Sequence, residues 1–291
     1  MHKILVLVLV LAGACSAAAA QTPANNPMPD GSRDTYVGLG VASAPVYEGS
    51  AQRRVRALPV VQAAWSNGVF ISGLSAGMHL SSGPSLEYGP LLAIQPRRSE
   101  SGLAGDVGIV EDGSDLTMIA DPGLIRTFRD MSADGHRLTG MDVQRARLLA
   151  GGFLNYYLSP QVRLTNSVLV GSGNEGNGAV WRTGLQHVSA RLARHHFLSV
   201  GVGVTLANRK HNQAYFGVSP EESMLSMNPE YAAEGGLKDV HANARWNWAF
   251  NPSWLLTTGV QATRLRGSAA DSPLTERPTN LTVSTAIAYR F

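Results

Sequence analysis

The chain of 291 residues is 44% hydrophobic and 15% charged and contains 31 glycines, which excludes a disordered chain and is unusual for a soluble enzyme. Its formal net charge of +3 is too small to indicate a nucleic-acid partner. Its length leaves room for one large domain or for two small ones.

The N-terminus predicts export from the cytoplasm. Lys3 precedes an apolar run, Ile4–Ala14, and Ala18-Ala19-Ala20 supply the small residues that a signal peptidase requires. The run is far shorter than the roughly 20 residues of a membrane-spanning helix. We therefore predict a cleavable signal peptide over residues 1–20, followed by a flexible lead-in over residues 21–34 that is rich in Pro, Asn and Gly.

The chain then alternates between apolar and polar or small side chains, which predicts β-strands with little helix between them. Four strands come first, over residues 37–42, 54–65, 70–80 and 86–95. Residues 98–141 break the alternation and are rich in Gly and Asp. We predict a long inserted segment there.

The alternation resumes after this segment and predicts seven further strands. They cover residues 145–156, 162–170, 181–186, 198–206, 244–250, 254–262 and 281–291. Strands of about ten residues are long enough to cross a bilayer at a tilt. Because single-chain bacterial barrels contain an even number of strands, we place a twelfth strand within residues 98–141. The prediction is an all-β fold, a transmembrane antiparallel β-barrel of 12 strands over residues 35–291, with 10 strands as the alternative.

The last strand supports a barrel of the outer membrane. Its apolar residues, from Leu281 to Phe291, share one parity, and small or polar residues share the other. Outer-membrane barrels resemble one another in such an aromatic-ended strand, so we predict Tyr289 and Phe291 to be the signal for the barrel-assembly machinery. A soluble β-sandwich is the alternative. The signal peptide, the strand lengths and the long loops opposite short turns favour a barrel surrounded by outer-membrane lipid in a Gram-negative cell.

Seven arginines share the parity predicted to face the lumen. They are Arg54, Arg56, Arg145, Arg147, Arg163, Arg182 and Arg245. One interpretation is a packed network that pairs them with Glu87 and with other interior acids or amides. The other is a positively charged path for anionic solutes.

One pair of residues invites a test for catalysis. His187-Val188-Ser189 resembles the His-x-Ser of outer-membrane lipid A deacylases, and residues two apart share one face of a strand. Such a hydrolase also needs a carboxylate to orient the imidazole, and the next acid along the chain is Glu221, in a distant loop. An ordinary polar pair near a strand end is the favoured interpretation.

Two further motifs give no better site. His195 and His196 point to opposite faces of a strand and lack companion ligands at a suitable spacing. The glycine-rich segment Gly171–Gly176 lacks the lysine and the following helix of a phosphate-binding loop. We therefore expect no catalytic residue, no metal site and no cofactor.

The chain resembles the MipA/OmpV family of outer-membrane proteins through an ordered set of motifs. These are Gly40-Val41-Ala42, Pro45-Val46-Tyr47-Glu48-Gly49-Ser50, Tyr215-Phe216-Gly217-Val218-Ser219, Gly235-Gly236-Leu237-Lys238-Asp239-Val240, Ala270-Asp271-Ser272-Pro273 and Tyr289-Arg290-Phe291. The segment over residues 101–141 is longer than expected for the family. The resemblance implies an outer-membrane barrel whose best-described member is a scaffold for a murein lytic transglycosylase and a bifunctional peptidoglycan synthase. It supplies no defined binding residues.

The sequence thus predicts an interaction scaffold for peptidoglycan-remodelling enzymes, with the periplasmic turns and the lead-in as docking surfaces. A channel for small, anionic solutes is the second hypothesis. A lipid-modifying hydrolase is the third.

Overall fold

The computed structural model of the chain describes residues 33–81, 83, 85–103 and 137–291. The predicted signal peptide, residues 1–20, lies outside these residues and stays a prediction. The same holds for the lead-in up to residue 32, whereas residues 33 and 34 already belong to the first strand.

Twelve of the strands close an antiparallel barrel. The strands are β1 (Arg33–Pro45), β2 (Arg53–Trp65), β3 (Val69–Ser72), β4 (Ser75–Met78), β5 (Leu86–Gln95), β6 (Arg98–Ser99), β7 (Gly102–Leu103), β8 (Arg147–Ser159), β9 (Val162–Ser172), β10 (Gly178–Ala193), β11 (His196–Ala207), β12 (Gly236–Ala249), β13 (Trp254–Leu265) and β14 (Thr279–Arg290). Each barrel strand pairs with its neighbour in the chain, except that β5 pairs with β8, and β14 closes the barrel against β1. β6 and β7 form a separate two-stranded sheet. The predicted barrel of 12 strands is confirmed.

The alternation along each strand separates the outside of the barrel from its lumen. In β1, Leu39 is 69% exposed on the outside, and Val37 and Val41 lie on the same face. Ala42 and Ala44 are buried on the lumen side. Period-two alternation of this kind is expected where one face of a sheet meets lipid and the other meets a filled interior.

The two ends of the barrel differ in the length of their connections. At one end the strands are joined by short turns, such as the turn between β8 and β9 and the turn between β10 and β11. At the other end lie the long connections, including residues 208–235 and 266–278. Short turns belong to the periplasmic side of such barrels, so we assign the long connections to the cell exterior.

The position predicted for the twelfth strand is wrong. β5 pairs with β8 along its whole length, from Leu86 opposite Tyr156 to Gln95 opposite Arg147, so no strand from residues 98–141 stands between them. The extra strand comes instead from the single strand predicted over residues 70–80. This stretch forms β3 and β4, joined by a two-residue loop that begins at Gly73, whose φ is 61°. A two-residue hairpin loop with a positive φ favours glycine, and apolar residues on both sides of it hid the reversal.

The exterior connections fold into an outer cap, which we define as residues 46–52, 98–103, 137–141, 208–235 and 266–278. Its helices are α1 (Arg209–Phe216), α2 (Pro220–Ser226) and α3 (Gly267–Ala270). One apolar cluster in the cap contains Val46, Tyr47, Leu138, Met141, Val218 and Leu274. Among the described residues, no helix is both long and apolar enough to span a membrane.

Candidate functional site

A buried ion pair lies in the periplasmic half of the lumen. Arg163 on β9 is 1% exposed, and its Nη1 lies 3.3 Å from Oε2 of Glu87 on β5. Arg163 Nε donates to Oε1 of Gln186 at 2.8 Å. The Tyr157 hydroxyl donates to Glu87 Oε1 at 3.0 Å, and Asn155 Nδ2 donates to Glu87 Oε2 at 3.3 Å. For Arg163, the structure therefore has the packed pairing with Glu87 that one interpretation of the sequence predicted.

An apolar layer fills the lumen above this ion pair. Phe70, Leu91, Phe153, Leu149 and Leu169 pack together there. The rings of Phe70 and Phe153 meet edge to face with centroids 5.8 Å apart. Small barrels are commonly filled by side chains in this way. The charged network and the apolar layer together occupy the periplasmic and middle parts of the lumen.

The other predicted arginines lie at different heights in the barrel. Arg54 and Arg56 lie at the outer end of β2. Arg145 is exposed and precedes β8, whereas the sequence predicted a strand that begins at residue 145. Arg147 begins β8 and donates to the carbonyl oxygen of Asn174.

The last two arginines of the set lie inside the barrel wall. Arg245 on β12 pairs in register with Ser199 and Gly259 and is partly buried. Arg182 on β10 lies in the lumen opposite Thr205 and is also partly buried. The seven arginines are therefore spread along the barrel from its outer rim to its periplasmic half.

Arg182 lies beside three interior cavities of about 100, 30 and 100 Å³. Among the described residues, its side chain has no hydrogen-bond or ion-pair partner. Arg182 is thus a lumen cation with donors available to a ligand.

A second charged group lies at the outer end of the lumen. Lys238 on β12 is 4% exposed, and its Nζ lies 2.9 Å from Oε2 of Glu48 and 3.3 Å from Oδ2 of Asp239. Asp239 Oδ1 accepts from the Thr205 hydroxyl at 2.9 Å and lies 3.1 Å from Nδ1 of His241. Each buried charge in this group therefore has an opposite charge or a hydrogen-bond donor, as burial requires.

Helix α1 of the outer cap is held at both of its ends. Asn208 caps its start, because the side-chain oxygen accepts from the backbone N–H of His211 at 2.9 Å. At its end, the guanidinium of Arg98 donates to the carbonyl oxygens of Ala214 and Tyr215 at 3.2 and 2.5 Å. A cation at a helix C-terminus meets the negative end of the helix dipole. Arg98 therefore ties β6 to the helix above the lumen.

The buried face of α1 carries a neutral histidine. His211 is 6% exposed, and its Nδ1 lies 2.8 Å from the hydroxyl oxygen of Ser172. Burial lowers the pKa of His211 well below its usual value, and the nearby charges of Lys238 and Arg182 lower it further. Asp239 acts in the opposite direction. The surroundings of His211 in the outer cap thus favour the uncharged imidazole.

We expect the outer cap to loosen as the pH falls below about 6.5, the usual pKa of an exposed histidine. The folded-state pKa of His211 is lowered, so an opened cap binds a proton that the closed cap does not. The stability that neutral His211 contributes is present above pH 6.5 and is lost as the pH falls towards its lowered pKa. Hydrogen exchange of α1 amides, compared at pH 7.5 and pH 5, measures this effect.

The substitution His211→Gln should remove that pH dependence, since glutamine can bond to Ser172 without titrating. His195→Asn is the matched control, because His195 is exposed in a periplasmic turn with φ of 69°, which asparagine tolerates. Equal pH dependence in the His211→Gln protein would contradict the assignment.

The motifs tested for chemistry lie near the periplasmic end of β10. His187 and Ser189 both belong to this strand, and the pairing of β10 with β11 shifts register between His187 and Ala190. His195 lies in the following turn, and His196 begins β11. Within the described parts of the chain, no three His, Cys, Asp or Glu side chains could together hold a metal ion.

The predicted assembly signal lies at the seam where the barrel closes. The ring centroids of Tyr289 and Phe291 are 4.9 Å apart, and the Trp254 ring lies 5.2 Å from Tyr289. Phe291 is 67% exposed, and its backbone N–H donates to the carbonyl oxygen of Thr35 at 3.0 Å. The three rings lie on the outside of the barrel near its periplasmic end, where aromatic residues suit the membrane interface. The role of Tyr289 and Phe291 in assembly stays a prediction.

Residues 37–291 match the family described as "MltA-interacting protein MipA". The chain belongs to this family. The MltA-interacting protein of Escherichia coli (strain K12) is 24% identical to it over 201 residues, which cover 65% of this chain and 75% of that protein. The MltA-interacting protein of Shigella flexneri matches with the same identity and the same coverage. This MipA-family chain is a closed, transmembrane, antiparallel β-barrel of 12 strands.

Solved structures of other outer-membrane barrels are similar to this MipA-family barrel at low identity. The translocator domain of the autotransporter NalP from Neisseria meningitidis is 10% identical, with a TM-score of 0.41 and coverage of 100% of this chain and 95% of that one. The TodX deltaS2S3 mutant monoaromatic hydrocarbon channel is 10% identical, with a TM-score of 0.40 and coverage of 94% of both chains.

Proposed function

We propose that this barrel is a docking scaffold for a periplasmic lytic transglycosylase, which binds to the periplasmic turns. The observation that carries the proposal is the filled lumen. A network around Arg163 and Glu87 and an apolar layer around Phe153 occupy its periplasmic and middle parts, where an open channel would need water. The name of the two relatives, MltA-interacting protein, supports a partner of this class.

The periplasmic turns have the rigidity that a docking surface needs. Asn251 accepts from the backbone N–H groups of Ser253 and Trp254 at 2.9 and 3.0 Å. In the turn between β8 and β9, the Ser159 hydroxyl oxygen accepts from the N–H of Val162 at 3.1 Å. Such side-chain to backbone bonds fix the turn before binding. A preformed surface loses less conformational entropy when a partner binds.

The turn between β10 and β11 gives this surface a positive charge. Arg194 and His195 are both exposed there. A cation at the rim of an interface steers a partner of opposite charge and raises the association rate. We therefore expect the partner to present an acidic patch to this turn.

Direct binding tests the proposal. The refolded barrel in detergent is titrated with the purified lytic transglycosylase of the same organism, and we expect saturable binding. Arg194→Glu should weaken binding at least tenfold, because it places a negative charge opposite the acidic patch. Lys210→Glu makes the same charge change in the outer cap, where Lys210 is 58% exposed, and should leave binding unchanged.

Two results would contradict the scaffold. One is the absence of binding by a barrel that far-UV circular dichroism shows to be folded. The other is an equal loss of affinity in the Arg194→Glu and Lys210→Glu proteins, which would place the contact elsewhere or make it non-specific. Either result would favour solute conduction as the function. Planar-bilayer recordings of Arg145 and Arg147 variants would then measure the conductance.

A peptidoglycan synthase is the second partner that we propose for the scaffold. If both enzymes bind, capture of the synthase on the immobilised barrel should increase when the transglycosylase is present. Unchanged capture would limit the scaffold to one partner.

A further inference from the structure

Among the described residues, no strand continues the wall of the barrel above the hairpin formed by β3 and β4. These two strands have 4 residues each, whereas their neighbours β2 and β5 have 13 and 10. β2 pairs with β3 only from Gln62 to Ala64, and β5 pairs with β4 only from Leu91 to Ala93. Among the described residues, the stretch Arg53–Val60 of β2 therefore has a strand neighbour on its β1 side alone.

This gap lies at the depth of the membrane hydrocarbon. Ala57 and Pro59 of β2 are opposite Val41 and Leu39 of β1, which are 48% and 69% exposed on the lipid-facing surface. An unpaired strand edge in hydrocarbon is costly and is tolerated where the backbone lines a cavity. Proline has no N–H and occurs in sheets mainly at edges, so Pro59 in the middle of β2 suits such an edge.

A cavity of about 100 Å³ lies between the tip of this hairpin and the lumen. Leu74, at the tip of the short hairpin, lines it. So does Ile94, which belongs to the lipid-facing parity of β5 and is 44% exposed. Leu149 and Val180 line the same cavity from inside the barrel. The lining therefore includes residues from both faces of the wall beside the tip of the hairpin.

The inner end of the cavity is basic. Arg98, Lys238 and Arg182 line it together with one acid, Glu48, and the first two already have partners in the α1 carbonyl oxygens and in Glu48. Arg182 has none among the described residues, so its guanidinium can donate to a bound anion. A planar guanidinium binds a carboxylate with two parallel hydrogen bonds.

We propose that this cavity binds a small amphiphile with a carboxylate head and an apolar body of about one ring, which enters from the membrane through the gap above β3 and β4. The carboxylate pairs with Arg182, and the apolar body lies among Leu74, Leu149 and Val180. An apolar cavity of about 150 Å³ binds benzene, so one ring is the upper limit for the apolar body in this cavity of about 100 Å³.

Benzoate is the probe for the site. Titration of the refolded barrel in lipid nanodiscs, followed by calorimetry, should give saturable binding of benzoate and none of benzylamine, which has the same ring and the opposite charge. Arg182→Gln should lower the affinity for benzoate at least tenfold. Arg182→Lys keeps the charge but loses the paired donors, so its affinity for benzoate should lie between those of the wild type and of the Arg182→Gln protein.

Arg245→Gln is the matched control, because Arg245 is another lumen arginine and does not line this cavity. Its affinity for benzoate should equal that of the wild type. Absence of saturable binding by a folded barrel, equal binding of benzylamine, or wild-type affinity in the Arg182→Gln protein would overturn the proposed site.

The route has a test of its own. Leu74→Trp enlarges the side chain at the mouth of the gap and should slow benzoate association measured by stopped flow, while the Arg245→Gln protein associates at the wild-type rate. An unchanged association rate in the Leu74→Trp protein would overturn access through the wall.

Discussion

Replacing Glu87 with alanine is expected to lower the free energy of unfolding by about 3–5 kcal/mol, because it removes the carboxylate that lies beside the buried charge of Arg163. Arg163 is 1% exposed and cannot turn towards water. Glu87→Gln should cost less, since the amide oxygen can still accept from Arg163 and the Tyr157 hydroxyl can accept from the amide N–H. Urea unfolding of the barrel in lipid vesicles, followed by tryptophan fluorescence, measures both losses.

Two further variants test this expectation. The double variant Glu87→Leu with Arg163→Met should recover much of the stability, because replacing a buried ion pair by apolar side chains is far less costly than breaking it. Glu175→Ala removes the carboxylate of an exposed pair with Lys210, 3.2 Å apart, and should cause no measurable loss. If Glu87→Ala is as stable as Glu175→Ala, the charged network does not hold the barrel together.

Deleting Phe291 is expected to remove most of the barrel from the outer membrane of living cells. The expectation rests on the role predicted for Tyr289 and Phe291 as the signal for the assembly machinery. The deletion should leave refolding of the purified chain into detergent nearly unchanged, because Phe291 is 67% exposed and contributes one backbone hydrogen bond to Thr35. Immunoblots of outer-membrane fractions and heat-modifiable gel migration measure the two outcomes.

Trp254→Ala is the control for the deletion. Trp254 contacts the same aromatic ring, that of Tyr289, and is 41% exposed, but it precedes the terminal strand. The Trp254→Ala protein should assemble normally in cells. Equal loss of assembly in both variants would mean that the aromatic surface, and not the terminal signal, is needed.

Most of the barrel could be predicted from the sequence because its strands obey a local rule. Leu39 and Val41 face lipid and Ala42 faces the lumen, as the alternation requires. The rule fails at Gly73, where a two-residue loop reverses the chain between apolar residues on both sides. A positive φ at one glycine is not visible in an alternating pattern.

The outer cap contained a local signal that the prediction did not use. Ser219 and Glu222 form a capping box at the start of α2, and Pro220 occupies the first turn. This pattern could have placed a helix within the segment interpreted as a loop.

The outer charged group could not be predicted from local sequence. Lys238 and Asp239 are adjacent, and such a pair is normally exposed to solvent. Lys238 is instead buried because Glu48, 190 positions away, reaches its Nζ once the barrel has closed. A partner at that distance is set by tertiary structure alone. Arg182 was predicted to face the lumen, but its lack of a partner among the described residues is likewise a property of the closed barrel.

The outer cap also determines the order in which the chain can fold. The Tyr47 hydroxyl donates to the carbonyl oxygen of Leu274 at 3.1 Å, across 227 positions of sequence. The loops that carry these residues follow β1 and precede β14, so they meet when those two strands pair. Contacts between such distant positions form slowly, because the loop between them must close first. The exterior loops therefore become resistant to protease last, and the time course of their protection reports the moment at which the barrel closes.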